Sequence, residues 1–449
     1  MEKHELRAAG SLAAVFSVRL LGLFMIYPVF ANYAHHLTGT TAYRIGLALG
    51  IYGLTQGLLQ IPFGMLSDRI GRKVMIIIGL VVFGVGSAVA AASTSIEGVI
   101  IGRAVQGGGA VGSVILALVA DLTKEESRTK AMALVGITIG TSFMVALVSG
   151  PLLAGVIGVN GIFWLMALLA LVGIGIVGFI VPRPLGLRVH GDAETVPGML
   201  GPILRNPELL RLDFGIFALH AMLTAGFLVL PGLLHARLSV SSSSQWIVYL
   251  PILLVAAAVM VPAIIVAEKY RCMKAVFVIT VTALAASQWL LAFGGGKEYV
   301  VLIALTLFFA AFNVMEATLP SLITKISPAR AKGTATGVYS SSQFLGIFVG
   351  GVAGGWVQQS AGADAVFVWA GALALLWLLL AATMRQPSYL VTRLLRIGRT
   401  VDAGQLSVAL QRLPGVAEVV LVADEQLAYL KVDSKVFDGA RAQSLAGAD

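Results

Sequence analysis

Glu316 stands inside an apolar stretch running from about residue 298 to 323, with Asn313 one turn before it. A charge in hydrocarbon costs at least ~2.5–3.5 kcal/mol on insertion scales, so a carboxylate there is a functional candidate by default. It reads as the only carboxylate well inside such a stretch, either a proton carrier or substrate contact, or a buried acid hydrogen-bonded to a neighbouring helix. His220 lies in another apolar stretch. Its imidazole either exchanges protons near neutral pH or packs as a polar residue. Arg19 and Arg103 lie inside two more stretches. Arg19, about two turns in, has the reach to snorkel to the nearer interface. Gln56 and Gln60, four residues apart, share one helix face and either line a cavity or pair between helices. These are residues for moving protons and holding a polar solute. No catalytic residues stand out, so an enzyme is not expected and no cofactor is implied. A GxxxxGK[ST] phosphate loop is missing, so the energy source expected is an ion gradient rather than ATP.

The elements that position these residues are membrane helices. Of 449 residues, 58% are hydrophobic and 12% charged. An ordinary soluble domain is about one-quarter charged, so this chain cannot cover itself with a wetted surface. Its apolar runs are about 20 residues long, enough to cross a ~30 Å hydrocarbon core. The spacing predicts twelve spans, at about 12–35, 43–67, 74–92, 97–120, 130–157, 161–181, 211–235, 245–267, 274–294, 298–323, 333–358 and 363–384. The first run continues to Tyr33 without a small-residue cleavage site, so it reads as a span rather than a signal peptide. Of the 31 Lys and Arg residues, 26 fall on the side of the termini and three (Arg44, Arg237, Lys297) on the other. The positive-inside rule then puts both termini in the cytoplasm and explains the +9 net charge without nucleic acid. Lone Cys272 excludes a disulfide framework.

The chain repeats itself. Pro62, Asp68 and Arg69 match Pro262, Glu268 and Lys269. Thr123-Lys124 matches Thr324-Lys325, and Gly136 and Gly150 match Gly337 and Gly351. The offset is 200 or 201 each time. The expected organisation is a first six-helix half (1–181), a cytoplasmic linker (182–210), a second half (211–385) and a soluble tail (388–449). Parallel halves of this kind place a substrate path between them. In the tail, 389–397, 416–422 and 427–432 read as strands and 402–413 and 436–445 as helices, a β-α-β-β-α order close to a ferredoxin-like fold. The tail has no cysteine or histidine, so no metal site of that chemistry is expected there.

The segment Gly64-Met-Leu-Ser-Asp68-Arg69-Ile-Gly71-Arg72-Lys73 resembles the signature loop of the major facilitator superfamily. Arg103-Ala-Val-Gln106-Gly107 resembles a second family motif. Gly136, Gly140, Gly150-Pro151 and Gly155 resemble the antiporter motif of the drug/proton branch, and Leu21-Gly22 with Pro28-Val29 a fourth motif. With its tail, the whole chain resembles the YajR-type transporters. The resemblance implies a 12-span fold of 6+6 pseudo-symmetric halves and alternating access. It places Arg103 toward the cavity as a proton-linked or substrate-binding group. It also implies a gate in which Asp68 faces the start of span eleven near Gly333 and Arg72 pairs with Asp121. Gly150-Pro151 reads as a helix bend. The expected function is proton-coupled export of a small amphipathic solute across the inner membrane. The alternatives are a membrane ligand sensor acting through the tail, or a proton–solute symporter. The expected partners are that solute, protons and the lipid bilayer, with a monomer as the base state and tail-mediated association open.

Overall fold

A computed structural model of the chain describes residues 3–123, 125–182, 197–294, 297–328, 331–386, 390–397, 403–422, 427–433 and 436–447. The core of the expected linker, Arg183 and Arg188 included, lies outside them, as do Lys124 and the turn at Asp424-Glu425-Gln426. The first part comprises α1 (Lys3–Phe24), α2 (Tyr27–Ala34), α3 (Ala42–Ile70), α4 (Arg72–Ala92), α5 (Ile96–Gly108), α6 (Gly112–Asp121) and α7 (Glu125–Gly175). A short π-helical turn, Ile176–Ile180, ends it. The second comprises α8 (Leu200–Leu204), α9 (Pro207–Leu238), α10 (Trp246–Lys269), α11 (Met273–Phe293), α12 (Glu298–Ile326), α13 (Lys332–Ala361) and α14 (Ala363–Ala382).

Ten of the described helical segments are long and apolar enough to cross a membrane. Two of them contain a break: α1 runs into α2 through residues 25–26, and α5 into α6 through residues 109–111. At ~1.5 Å per residue, the 51 residues of α7 would extend about 76 Å, more than twice the hydrocarbon core. Gly158 resolves this. Its φ of 69° and ψ of 172° break the helix into two, a conformation open to glycine because it lacks a Cβ. Gly158 falls between the fifth and sixth expected spans, 130–157 and 161–181, while Gly150-Pro151 lies within the helical run before it.

α13 is 30 residues long but too polar to count among the ten, and its seven glycines explain why it is there. It is wedged between α3 and α9. A Cβ on Gly351 would lie 2.3 Å from the Gly46 carbonyl oxygen, and one on Gly46 would lie 2.1 Å from that of Gly351. Gly350 and Gly346 stand equally close to the Ala221 and Phe217 carbonyls of α9. Small residues allow such approach where no water drives helices together. The contact between α3 and α13 runs from Tyr43, whose N–H donates to Gln359, to Gly57, whose carbonyl accepts from Ser341. The bundle is therefore drawn together at the end away from the chain's N-terminus. Tyr27–Thr224 and Asn32–Ser242 hydrogen bonds join the two parts at the same end.

The tail folds as β1 (Leu390–Arg396), α15 (Ala403–Gln411), β2 (Val416–Val422), β3 (Leu427–Asp433) and α16 (Gly439–Leu445). Its antiparallel sheet has the order β1-β3-β2. That is the expected split β-α-β arrangement, with Leu406, Leu410, Leu430 and Val432 in its own core.

Substituting Gly351 with Ala puts a methyl group against backbone that no rotamer change can relieve. It should cost about 1–3 kcal/mol, read as a lower thermal midpoint of the purified protein. Gly136→Ala, where a Cβ meets nothing within 4 Å, serves as the control. Equal midpoints for the two variants would contradict this packing.

Candidate functional site

The second part of the bundle brings Glu316 and His220 together. Glu316 on α12 places Oε1 3.4 Å from Nε2 of His220 on α9. His220 is buried, and Glu316 is 27% exposed. Nδ1 of His220 lies 3.3 Å from the Ile216 carbonyl, one turn back, and Gln343 of α13 lies 2.9 Å from Nε2. A carbonyl accepts only from Nδ1–H, so the neutral ring leaves Nε2 as an acceptor facing Gln343 and Glu316. Asn313 is half-buried and takes no part in these hydrogen bonds.

Glu316 is not the only buried carboxylate. Asp213, on α9 two turns before His220, is 5% exposed, and neither of its oxygens has a hydrogen-bond partner. Beside Arg211 at the expected edge of a span it reads as an interfacial charge. The spacing of seven residues from His220, which puts both on one helix face, was the signal available. The buried hydroxyl of Tyr339 on α13 has no partner and sits in the field of both carboxylates.

The first part of the bundle holds cations instead. Arg19 does not snorkel to an interface: it is 5% exposed, and its Nη2 donates to Tyr52 Oη at 3.1 Å and Gln56 Oε1 at 2.6 Å. Gln56 in turn donates to Gln60 at 3.1 Å. Arg103 is 1% exposed, donates to Gln106 at 2.6 Å and lies over the Tyr52 ring at 4.9 Å. Neither arginine has a carboxylate within ion-pair distance among the described residues. Aromatic rings span the two parts: Phe24 meets Phe143 edge-on, Phe143 stacks on Phe312 at 5.3 Å, and Phe312 faces His220.

The expected gate residues gather at the N-terminal end of the bundle. Arg72 donates to Asp121 at 2.6 Å and to Ser67 at 3.0 Å, and lies 2.7 Å from Asp68. Gly71 ends α3 with φ of 98°, which accounts for a glycine at that place. Gly64 packs loosely near Ser113, and Arg69 is exposed. Asp68 turns to Arg72 and makes no hydrogen bond to the start of α13. Gly150 packs on the break between α1 and α2, where its Cβ would lie 2.4 Å from the Met25 carbonyl.

The family model for the Major Facilitator Superfamily matches residues 12–271 and 212–394. The chain belongs to the major facilitator superfamily. A second model, the YajR YAM domain, matches residues 395–442. The chain is 44% identical to the inner membrane transport protein YajR of Escherichia coli K12, over 97% of this chain and 96% of that protein. It is 31% identical to multidrug resistance protein 2 of Bacillus subtilis over 38% of this chain and 43% of that one. A bacterial homologue of the human lysosomal transporter Spinster has the same fold, with a TM-score of 0.66 at 14% identity over 86% of this chain and 98% of that one. The chain is thus a YajR-type transporter of this superfamily.

The superfamily's signature loop recurs in the second half in altered form. Where the repeat puts Arg271 in place of Gly71, the left-handed turn survives, with φ of 53° on a non-glycine residue. Such a residue costs on the order of 1–2 kcal/mol. Its guanidinium makes two hydrogen bonds, of 2.6 and 3.0 Å, to Asp433 of the YAM domain. Lys431 beside it donates to the carbonyls of Lys325 and Ser327, at the negative end of α12. Burial there holds its ammonium below the ordinary lysine range, with Glu418 pulling the other way and Lys332 adding to the decrease. The YAM domain is docked on the altered loop. Arg271→Gly keeps the turn but removes the clamp. Hydrogen exchange in β3 should then rise on the order of tenfold, the equivalent of one lost charge-assisted bond. Unchanged exchange would show that Arg271 does not hold the domain.

Proposed function

We propose that this transporter couples proton movement to the export of a small amphipathic solute, with Glu316 as the proton site and His220 as its partner. The observation that carries this reading is the pair itself: an acid and an imidazole 3.4 Å apart in the bundle interior, with no lysine or arginine paired to the acid among the described residues. Protonation removes the charge that makes Glu316 costly in a dry site, and opening to water restores it. Alternating access makes that change in solvation periodic. Gln343, one turn from Tyr339 on α13, ties the pair to the second-half helix that packs on α3 of the first half, so proton binding biases the element that moves.

Twelve crossings follow from the ten apolar segments once α7 is divided at Gly158 and the glycine-rich α13 is added. With the basic loops at the N-terminal end, that end is cytoplasmic. The organisation proposed is a half at 1–181, a linker at 182–210, a half at 211–385 and the YAM domain after 388. The halves meet at the periplasmic end, a state open toward the cytoplasm. There Asp68 rests on Arg72 within its own half. Rocking to the outward-open state brings α13 to it, where its charge meets a helix N-terminus worth about 0.3–1 kcal/mol. Modest contacts of this size suit a switch. The antiporter-like glycines and Gly150-Pro151 of α7 are the support for export, and the Phe24–Phe143–Phe312 rings support an amphipathic solute.

The test is proton flux in proteoliposomes that enclose a pH-sensitive dye, under an imposed pH gradient and with a library of small solutes supplied in turn. The wild-type chain should release the gradient when its solute is present, and Glu316→Gln should fall to the level of empty liposomes. Equal flux in the two would rule out Glu316 as the proton site. A second reading, a sensor acting through the YAM domain, draws on the Arg271–Asp433 clamp. Full solute-dependent flux after deletion of 388–449 would count against it.

A further inference from the structure

The break between α5 and α6 puts a helix N-terminus in the bundle interior. α6 begins at Gly112, and its N-cap is Val111, which supplies no side-chain hydrogen bond. The first N–H groups of a helix have no partner of their own, and together they carry about half a unit of positive charge. Nine residues separate Gly112 from the end of α6 at Asp121, so these donors lie deep in the span rather than at an interface.

Two buried side chains converge on the same point. Arg19 uses Nη2 for both of its bonds, which leaves Nη1 and the buried Nε without an acceptor. Gln60, 4% exposed, accepts from Gln56 through Oε1, which leaves its Nε2 amide free to donate. A Cβ built on Gly112 would lie 3.3 Å from Gln60 Nε2 and 3.7 Å from Arg19 Nη1. It would also lie 3.7 Å from Gln60 Oε1, which accepts one hydrogen bond from Gln56. The space in front of Gly112 is thus lined by a guanidinium, an amide N–H and an uncapped helix start. A guanidinium buried without a counter-charge is costly, and an anion arriving here supplies both the charge and the acceptors.

We propose that the start of α6, Arg19 and Gln60 form an oxyanion site that takes the carboxylate of an organic-acid solute. One guanidinium carries a single positive charge, which balances a carboxylate and leaves a phosphate dianion over-charged. Arg19 Nη1 offers one carboxylate oxygen a charge-assisted donor, and Gln60 Nε2 offers a second. That the bound acid is the transported solute rests on the transport reading above; the anion site itself does not. It places the acid in the half opposite Glu316, so that solute and proton bind across the interface that rocks.

The experiment uses the full chain in nanodiscs of phosphatidylcholine, which excludes anionic lipid as the source of the anion. Calorimetric titration compares benzoate, its neutral isostere benzamide, and chloride at matched ionic strength. Benzoate is expected to bind saturably, with no binding of benzamide and no competition from chloride at equal concentration. Gly112→Ala, which fills the space, and Arg19→Gln should each weaken benzoate by about tenfold or more. Gln60→Met keeps the volume, removes the donor, and decides the matter if Arg19→Gln does not fold. Equal binding of benzoate and benzamide, displacement of benzoate by equimolar chloride, or unchanged affinity in Gly112→Ala and Gln60→Met would overturn the proposal. The titration needs no gradient and no proton movement. A failed anion site therefore leaves the proton-flux result standing, and a failed proton site leaves the titration standing.

Discussion

A charge in the hydrocarbon interior costs at least ~2.5–3.5 kcal/mol, more when no counter-charge or hydrogen bond meets it. This bundle holds Arg19, Arg103, Asp213 and Glu316 there, and it does not pair them with one another. The cations lie in the first half, on either side of Tyr52. The carboxylates lie in the second, on either side of Tyr339. A chain selected for stability alone would bring opposite charges together or replace them with apolar side chains. Keeping them apart across the interface between the halves leaves the buried charge of each half unpaired by the other. The rest of the structure can be understood as what makes this arrangement tolerable and reversible.

Tolerance comes from hydrogen bonds. Gln56, itself bonded to Gln60, meets Arg19, Gln106 meets Arg103, and Gln343 meets His220. Reversibility comes from glycine. Gly46 and Gly351 bring α3 and α13 together backbone to backbone, which leaves few side chains to unpack at that point if the surfaces part. The signature loop at the other end is held by Arg72 and Asp121 within one half. The second half uses its copy of that loop differently. Arg271 stands in the strained position of Gly71 and reaches Asp433, so the turn that is held by Arg72 within one half anchors a soluble domain on the other.

Much of this was legible in the residue pattern. The 200-residue offset located the repeat, and it is the same offset that relates Gly71 to Arg271. The strand and helix order of the tail followed from short alternating runs bounded by turns. Glu316 and His220 were candidates because an ionisable side chain in an apolar run is conspicuous. What was hidden depended on neighbours distant in sequence. Arg19 looked able to snorkel because reach is a property of the side chain, whereas its burial is decided by Tyr52 and Gln56 on another helix. Asp213 was masked by Arg211 beside it, which made a buried acid look like an interfacial one. The start of α6 at Gly112 involves one of 51 glycines, and composition does not say which glycine carries a break. The docking of the tail has no local pattern, since Arg271 and Asp433 are 162 residues apart.

The central claim is that the proton binds at Glu316 rather than at Asp213, the buried carboxylate of α9. Infrared difference spectra of the purified transporter across a pH step report directly on carboxyl protonation. The account predicts a protonated-carboxyl band that disappears in Glu316→Gln and persists in Asp213→Asn. A band that survives in Glu316→Gln and is lost in Asp213→Asn would contradict it.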